Sequence, residues 1–188
     1  METPDGRGPR SPRGLARSDV ACGTGDLCRE IERVGMRAIG IDFSPGMLAA
    51  ARTTAPLLRG DALDLPVKTG GADGIACGFA LRNVADLMQL FTEFARVVRP
   101  GGRISLLEVS EPQVTPLRLG HHLYFHHVVP LIGGLLSSRE AYRYLPASTA
   151  YLPPRDEMTG MLDSAGFEEI SFLRLGLGAA QSISATRR

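Results

Sequence analysis

Tryptophan is absent and aromatic residues make up only 6% of the 188, so platforms on which nucleic-acid bases stack are scarce. A formal net charge of +1 supplies no field to attract a polyanion or an anionic bilayer. Nucleic acid is therefore not an expected partner. Long apolar runs are missing too. No stretch approaches the roughly 18 consecutive apolar residues needed to span a bilayer, and the start has no apolar run of signal-peptide kind. Cysteine is sparse: Cys22, Cys28 and Cys77 are odd in number and lack a Cys-x-x-Cys pair, as expected of reduced core thiols in a cytosolic protein.

What remains is an ordinary globular composition, 44% hydrophobic and 22% charged, in a chain long enough for one domain with a real core. Residues 1–18 hold Pro4, Pro9 and Pro12 among Arg7, Arg10, Arg13 and Arg17, and are expected to be a disordered, solvated tail. The domain is then expected to run from residue 19 to 188.

The segment Asp19-Val20-Ala21-Cys22-Gly23-Thr24-Gly25-Asp26 has the pattern of a strand entering a glycine turn and then a helix. Glycines there let the backbone approach a ligand where a Cβ would intrude. Asp42 follows at the expected end of a second strand, where an acid accepts hydrogen bonds from a ribose. In Gly23-x-Gly25-x-x-Cys28 the third glycine of dinucleotide binders is missing. Asp19 and Asp26 flank the turn, and two carboxylates repel a pyrophosphate while suiting a ligand that carries an ammonium and a sulfonium. S-adenosylmethionine is such a ligand. A glycine turn without any ligand is the bland alternative, and the pairing with Asp42 weighs against it.

Farther along, Leu27, Ile31 and Val34 predict a helix over 26–34 ended by Gly35, followed by a strand over 37–42. Ser44-Pro45 opens a second helix with Met47, Leu48 and Ala51 on its apolar face, and a short strand runs over 56–59. Asp61 either faces the ligand crevice or caps a loop. Residues 72–79 form a buried strand, Asp86 starts a helix, and Pro100-Gly101-Gly102 stops it before a strand over 104–109. This alternation predicts an α/β fold, a doubly wound, mostly parallel Rossmann-like sheet with helices on both faces. Residues 110–151 break the alternation and are expected to be an insertion covering the site. His122 and His126 stand four apart there, but no cysteine or close carboxylate completes a metal ligand set. A last helix with Met158, Met161, Leu162 and Ala165 as its stripe, then two strands, close the chain.

With these motifs in view, the chain resembles the menaquinone and ubiquinone biosynthesis C-methyltransferases, class I enzymes that use S-adenosylmethionine. The resemblance runs from Asp19 nearly to the end. Besides the glycine turn and Gly60-Asp61-Ala62, it rests on Leu81-Arg82-Asn83-Val84, Arg99-Pro100-Gly101-Gly102-Arg103, Leu107-Glu108-Val109-Ser110 and Ala141-Tyr142-Arg143-Tyr144-Leu145-Pro146. The Leu-Arg-Asn-Val and Ala-Tyr-Arg-Tyr-Leu blocks are the most particular to the family.

The resemblance implies a cofactor site of Asp19, Ala21, Gly23, Thr24, Gly25, Asp42, Phe43, Asp61, Ala62 and Gly78, where Gly78 replaces a frequent serine and offers only backbone. It implies that Arg82, Asn83, Glu108, Tyr124 and His127 lie beside the acceptor, a prenylated quinol, with His127 or Glu108 as base and no metal. Transient contact with a membrane surface and a homodimer are compatible with it. Family members begin with several dozen further residues, largely helical, that close over the site. This chain alone is therefore expected to be a poor enzyme. Arg17 and Ser18 also stand where the family's first strand is apolar.

Overall fold

The computed structural model describes residues 16–110 and 152–188. Five parallel strands and one antiparallel hairpin make a single seven-stranded sheet in the order β3-β2-β1-β4-β5-β7-β6. In chain order these are β1 (Ala16–Val20), α1 (Asp26–Arg33), β2 (Ala38–Asp42), α2 (Pro45–Ala50), β3 (Leu57–Arg59), β4 (Ala72–Gly78), α3 (Leu87–Val97), β5 (Val98–Val109), α4 (Arg155–Ser164), β6 (Phe167–Leu175) and β7 (Ala180–Arg187). β1 is flanked by β2 and β4, so the chain turns outward in opposite directions from β1, and a crevice opens at the carboxyl ends of β1 and β4.

The local chemistry explains the elements. Ser44 caps α2 through its hydroxyl, which accepts from the Met47 N–H, with Pro45 at the first helical position. Asp86 caps α3 by accepting from the Gln89 N–H at 2.9 Å. On one face of the sheet Leu90, Phe91, Phe94, Met158, Leu162 and Phe167 pack with Ile104, Leu106 and Ile183 into the main core. Burying each such side chain contributes about 1.5–3 kcal/mol. On the opposite face a smaller cluster forms from Cys22, Cys28, Ile31, Ala38 and Ala55. The parallel, doubly wound architecture expected from the sequence is the one found.

Three details differ from expectation. β1 begins at Ala16, inside the expected tail: Ala16 and Ser18 point inward while Arg17 points out, and the backbone pairs with both neighbours. A central strand thus accepts Arg17 because that side chain lies on its exposed face at the strand's start. β5 continues directly from α3, with Arg99 to Gly102 forming a bulge opposite the step from Ala72 to Gly74 in β4. Gly74 is required at that step, since a Cβ there would stand 2.4 Å from the Arg103 carbonyl oxygen. Finally, no residue of α2 is buried, and Met47 remains 38% exposed. Six residues give too little helix to bury a stripe, so only Leu48 reaches the smaller cluster. The expected insertion over 110–151 lies outside the described residues apart from Ser110, whose hydroxyl donates to the Gly178 carbonyl at 2.6 Å.

Candidate functional site

At the end of β1 the chain enters a left-handed turn: Ala21, Gly23 and Gly25 have φ of 56°, 52° and 80°. Gly25 caps α1, and a Cβ on it would stand 2.8 Å from Thr53 Cγ2. Among the described residues Gly23 opens onto free space, with nothing within 4 Å of where its Cβ would be. Asp42, at the end of β2, holds the turn from beside it. Its Oδ2 accepts from the Gly23 N–H at 2.8 Å and its Oδ1 from the Ser44 N–H at 2.8 Å. A carboxylate has about four acceptor positions, so two remain for a ligand's hydroxyls.

Asp19 is 1% exposed, and its Oδ2 accepts from the Cys28 N–H at 3.0 Å and from the Cys28 thiol at 3.2 Å. Its Oδ1 is buried with no partner among the described residues. Burial pushes the carboxyl up to about 6, the Cys28 hydrogen bonds oppose this, and the charges of Asp42 and Asp26 add to the rise. Because the folded value exceeds the unfolded one, the folded state holds the extra proton between them. Stability from this group is full below the unfolded value and falls as pH rises through 6. Unfolding of the ligand-free chain in urea should therefore show a stability lower by about 2 kcal/mol near pH 7 than near pH 4 on account of Asp19. Asp19→Asn should flatten that slope. An unchanged slope would place the proton elsewhere.

Asp26 flanks the turn at the start of α1. Its side chain is exposed, paired with Arg29, and accepts from the Thr24 hydroxyl at 2.7 Å. Phe43 is 66% exposed beyond Asp42, with the Arg59 guanidinium 5.7 Å from its ring centre. Asp61 accepts from the Leu63 N–H at 2.9 Å, so it does cap its loop while remaining exposed at the sheet edge beside Ala62. That loop is clamped from α3: Glu93 accepts from the Leu65 N–H at 2.6 Å, and Arg96 donates to the carbonyls of Val67 and Leu65. Glu93→Ala should loosen Asp61 and Ala62, lowering stability by about 1–3 kcal/mol through the orphaned N–H. Hydrogen exchange over 61–67 checks this, and unchanged protection would refute the clamp.

At the end of β4, Gly78 faces Leu27, whose Cδ1 would stand 3.0 Å from an added Cβ. Phe79 follows with φ 57° and 48% exposure. It mirrors Ala21 across the crevice, an uncommon conformation for a non-glycine residue and a mark of a constrained site. Sequence reasoning missed Phe79, because nothing in a Gly-Phe-Ala string signals a left-handed phenylalanine. A short 3-10 turn, Leu81–Asn83, then brings Arg82 to the end of β5. There Glu108 is fully buried, with Arg82 Nε 2.9 Å from its Oε1, although the N–H is not aligned as a hydrogen bond. The Val109 N–H donates to the same oxygen at 2.9 Å, and the Arg82 N–H reaches Oε2 at 3.4 Å. Glu108 was expected as a candidate base. In the structure both its oxygens are engaged, Oε1 by Arg82 Nε and the Val109 N–H and Oε2 by the Arg82 N–H, so it also fixes Arg82. Asn83 is exposed beside it.

The model of the ubiE/COQ5 methyltransferase family matches residues 7–187. The chain belongs to that family. A demethylmenaquinone methyltransferase of Roseiflexus castenholzii is 40% identical over 171 residues, which is 86% of this chain and 71% of that protein. One from Shouchella clausii is 37% identical over 170 residues, 84% of this chain and 72% of the relative. Among solved structures, an S-adenosylmethionine-dependent methyltransferase of Mesorhizobium loti superposes with a TM-score of 0.65 at 20% identity, covering 93% of this chain and 91% of that one. Haemonchus contortus phosphoethanolamine N-methyltransferase 2, solved with S-adenosylmethionine, gives 0.66 at 15% identity over 96% of this chain and 50% of that chain. These likenesses show the class I methyltransferase fold.

In this methyltransferase the expected cofactor residues Asp19, Ala21, Gly23, Thr24, Gly25, Asp42, Phe43, Asp61, Ala62 and Gly78 all fall at the carboxyl ends of β1 to β4 or in the loops beyond them. Arg82, Asn83 and Glu108 lie next along the same edge, whereas Tyr124 and His127 are outside the described residues. Among the described residues the site is an open edge. Two surface depressions, of about 440 and 320 Å³, are lined by Arg29, Glu32 and Arg52 to Thr54, and by residues around Arg17 and Arg103, and among the described residues neither includes an expected site residue. Among the described residues no helix is long and apolar enough to cross a membrane.

Proposed function

We propose that this methyltransferase places a methyl group on a ring carbon of a prenylated quinol, demethylmenaquinol, and so makes menaquinol. The observation that carries the reading is the match to demethylmenaquinone methyltransferases over more than four-fifths of the chain. The residues suit the cofactor. Asp42 has two free acceptor positions for ribose hydroxyls, Gly23 leaves room for close approach, and the unpartnered Asp19 Oδ1 suits an ammonium. Phe43 offers a flat apolar face and Asp61 an acceptor for an adenine amino group.

When bound, S-adenosylmethionine supplies an electrophilic methyl on a positively charged sulfur. The chain's own part is to position and to polarise. Arg82, held by Glu108 at the end of β5, is placed to stabilise the negative charge that grows on the quinol oxygen as its proton leaves, with Asn83 beside it. His127 is the proton acceptor in this reading. Holding the ring carbon about 3–3.5 Å from the methyl and excluding water accounts for much of the expected acceleration. The cytoplasmic side of a membrane is where such a chain meets its prenylated acceptor, through transient surface contact, alone or as a homodimer. Titration with S-adenosylmethionine followed by turnover on demethylmenaquinol tests the reading. Cofactor binding without any methyl transfer to the quinol would refute the substrate, and no cofactor binding would refute the site.

A further inference from the structure

Two thiols converge beneath the glycine turn. Cys22 is its second residue and Cys28 stands in the first turns of α1, yet both sulfurs lie against the same backbone position. A Cβ added at Gly40 would stand 2.9 Å from Cys22 Sγ and 3.1 Å from Cys28 Sγ. The two sulfurs are thus neighbours in the smaller cluster, and the Cys28 thiol donates to Asp19 Oδ2 at 3.2 Å. Cys28 is fully buried, whereas Cys22 is 7% exposed beside Gly23, whose open side meets nothing within 4 Å. One thiol is thus reachable from the turn, and the other is placed behind it.

We propose that Cys22 and Cys28 form a reversible disulfide that reshapes the cofactor turn when the protein meets a peroxide. Cys22 attacks the peroxide, breaking its O–O bond, and becomes a sulfenic acid as one water leaves. The Cys28 sulfur then displaces the hydroxyl from Cys22, forming the S–S bond and a second water. The Cys28 proton passes by way of Asp19 Oδ2 to that leaving hydroxyl. Two electrons go from the thiols to the peroxide, and any dithiol reductant reverses the step. The surroundings fit the sequence of events: interaction with the neighbouring Cys28 thiol holds the Cys22 thiol below its ordinary range, while Cys22, burial and Asp19 push Cys28 far up.

The consequence falls on the turn. Cys22 carries the carbonyl that accepts from the Gly25 N–H at 2.8 Å, and its own N–H donates to the Ile41 carbonyl at 3.0 Å. Drawing its sulfur to bonding distance from Cys28 moves the turn between β1 and α1. Asp19 also loses the thiol donor at Oδ2, so its charge is held by the Cys28 N–H alone. Because this last step rests on the proposed cofactor site, the experiment separates the two. The full chain is treated with hydrogen peroxide, and peptides are mapped by mass without reduction. Binding of S-adenosylhomocysteine is measured on reduced, oxidised and re-reduced protein. The expected result is a Cys22–Cys28 link, an affinity about tenfold weaker, the loss that follows when one bond to a charged group goes, and recovery with dithiothreitol. Cys77→Ala should behave as wild type, and Cys28→Ala or Cys28→Ser should abolish the response. Oxidation of Cys22 to sulfinic acid with no link, or a link to Cys77, would overturn the disulfide. A link with unchanged affinity would overturn its coupling to the turn. If the reduced chain does not bind the probe at all, the cofactor site fails while the mapping still decides the disulfide.

Discussion

Asp42→Ala should weaken S-adenosylmethionine binding by about 2–4 kcal/mol, roughly 30-fold to a thousandfold, because bonds to a charged acceptor are each worth about 1.5–3 kcal/mol. The carboxylate serves two masters here. It accepts from Gly23 and Ser44 in the ligand-free chain, and its remaining acceptor positions face the crevice. Removing it therefore takes away the ribose acceptors and also releases the glycine turn. A fall in stability of about 1–3 kcal/mol should accompany the lost affinity, from two N–H groups left without their partner. Asp42→Asn separates the effects, since its one carbonyl oxygen retains part of the acceptor set. Its affinity should lie between wild type and alanine. Calorimetry on the three proteins decides: equal affinity in wild type and Asp42→Ala removes Asp42 from the site.

Why Asp42 was legible and other parts were not is a matter of range. The glycine turn, the Ser44-Pro45 helix start and the strand ending at Asp42 each depend on chemistry within a few residues, and periodicity carries that in the string. The order of elements then restricts the sheet to a doubly wound arrangement. What stayed hidden depends on contacts between distant segments. Glu108 looked free because Arg82 lies 26 residues away and meets it only after β4 and β5 align. The convergence of Cys22 and Cys28 on Gly40 requires β1, β2 and α1 to pack before it exists. Arg17 misled for a related reason: a central strand is expected to be apolar on both faces, but at this end the described residues cover only one. Phe79 shows a third kind of blindness, a backbone conformation imposed by the junction of β4 with the 3-10 turn and not preferred by the residue itself.

Arg82→Ala should cost more stability than any other single change at this edge, about 3–5 kcal/mol, by leaving the Glu108 charge buried and uncompensated. The asymmetry between the partners follows from their surroundings. Glu108 is fully buried while the Arg82 side chain is 24% exposed, so arginine without glutamate still finds water, and glutamate without arginine does not. Glu108→Gln should accordingly be the milder change, keeping an acceptor for the Val109 N–H. Combining Arg82→Ala with Glu108→Gln should restore part of what Arg82→Ala alone loses, because the buried charge is then gone. Arg82→Lys keeps the charge but not the planar fork, so turnover on demethylmenaquinol should fall more than cofactor affinity does. Denaturant unfolding of the single and double variants gives the coupling directly. Additive losses would mean that Arg82 and Glu108 do not depend on each other, and the positioning of Arg82 by Glu108 would have to be abandoned.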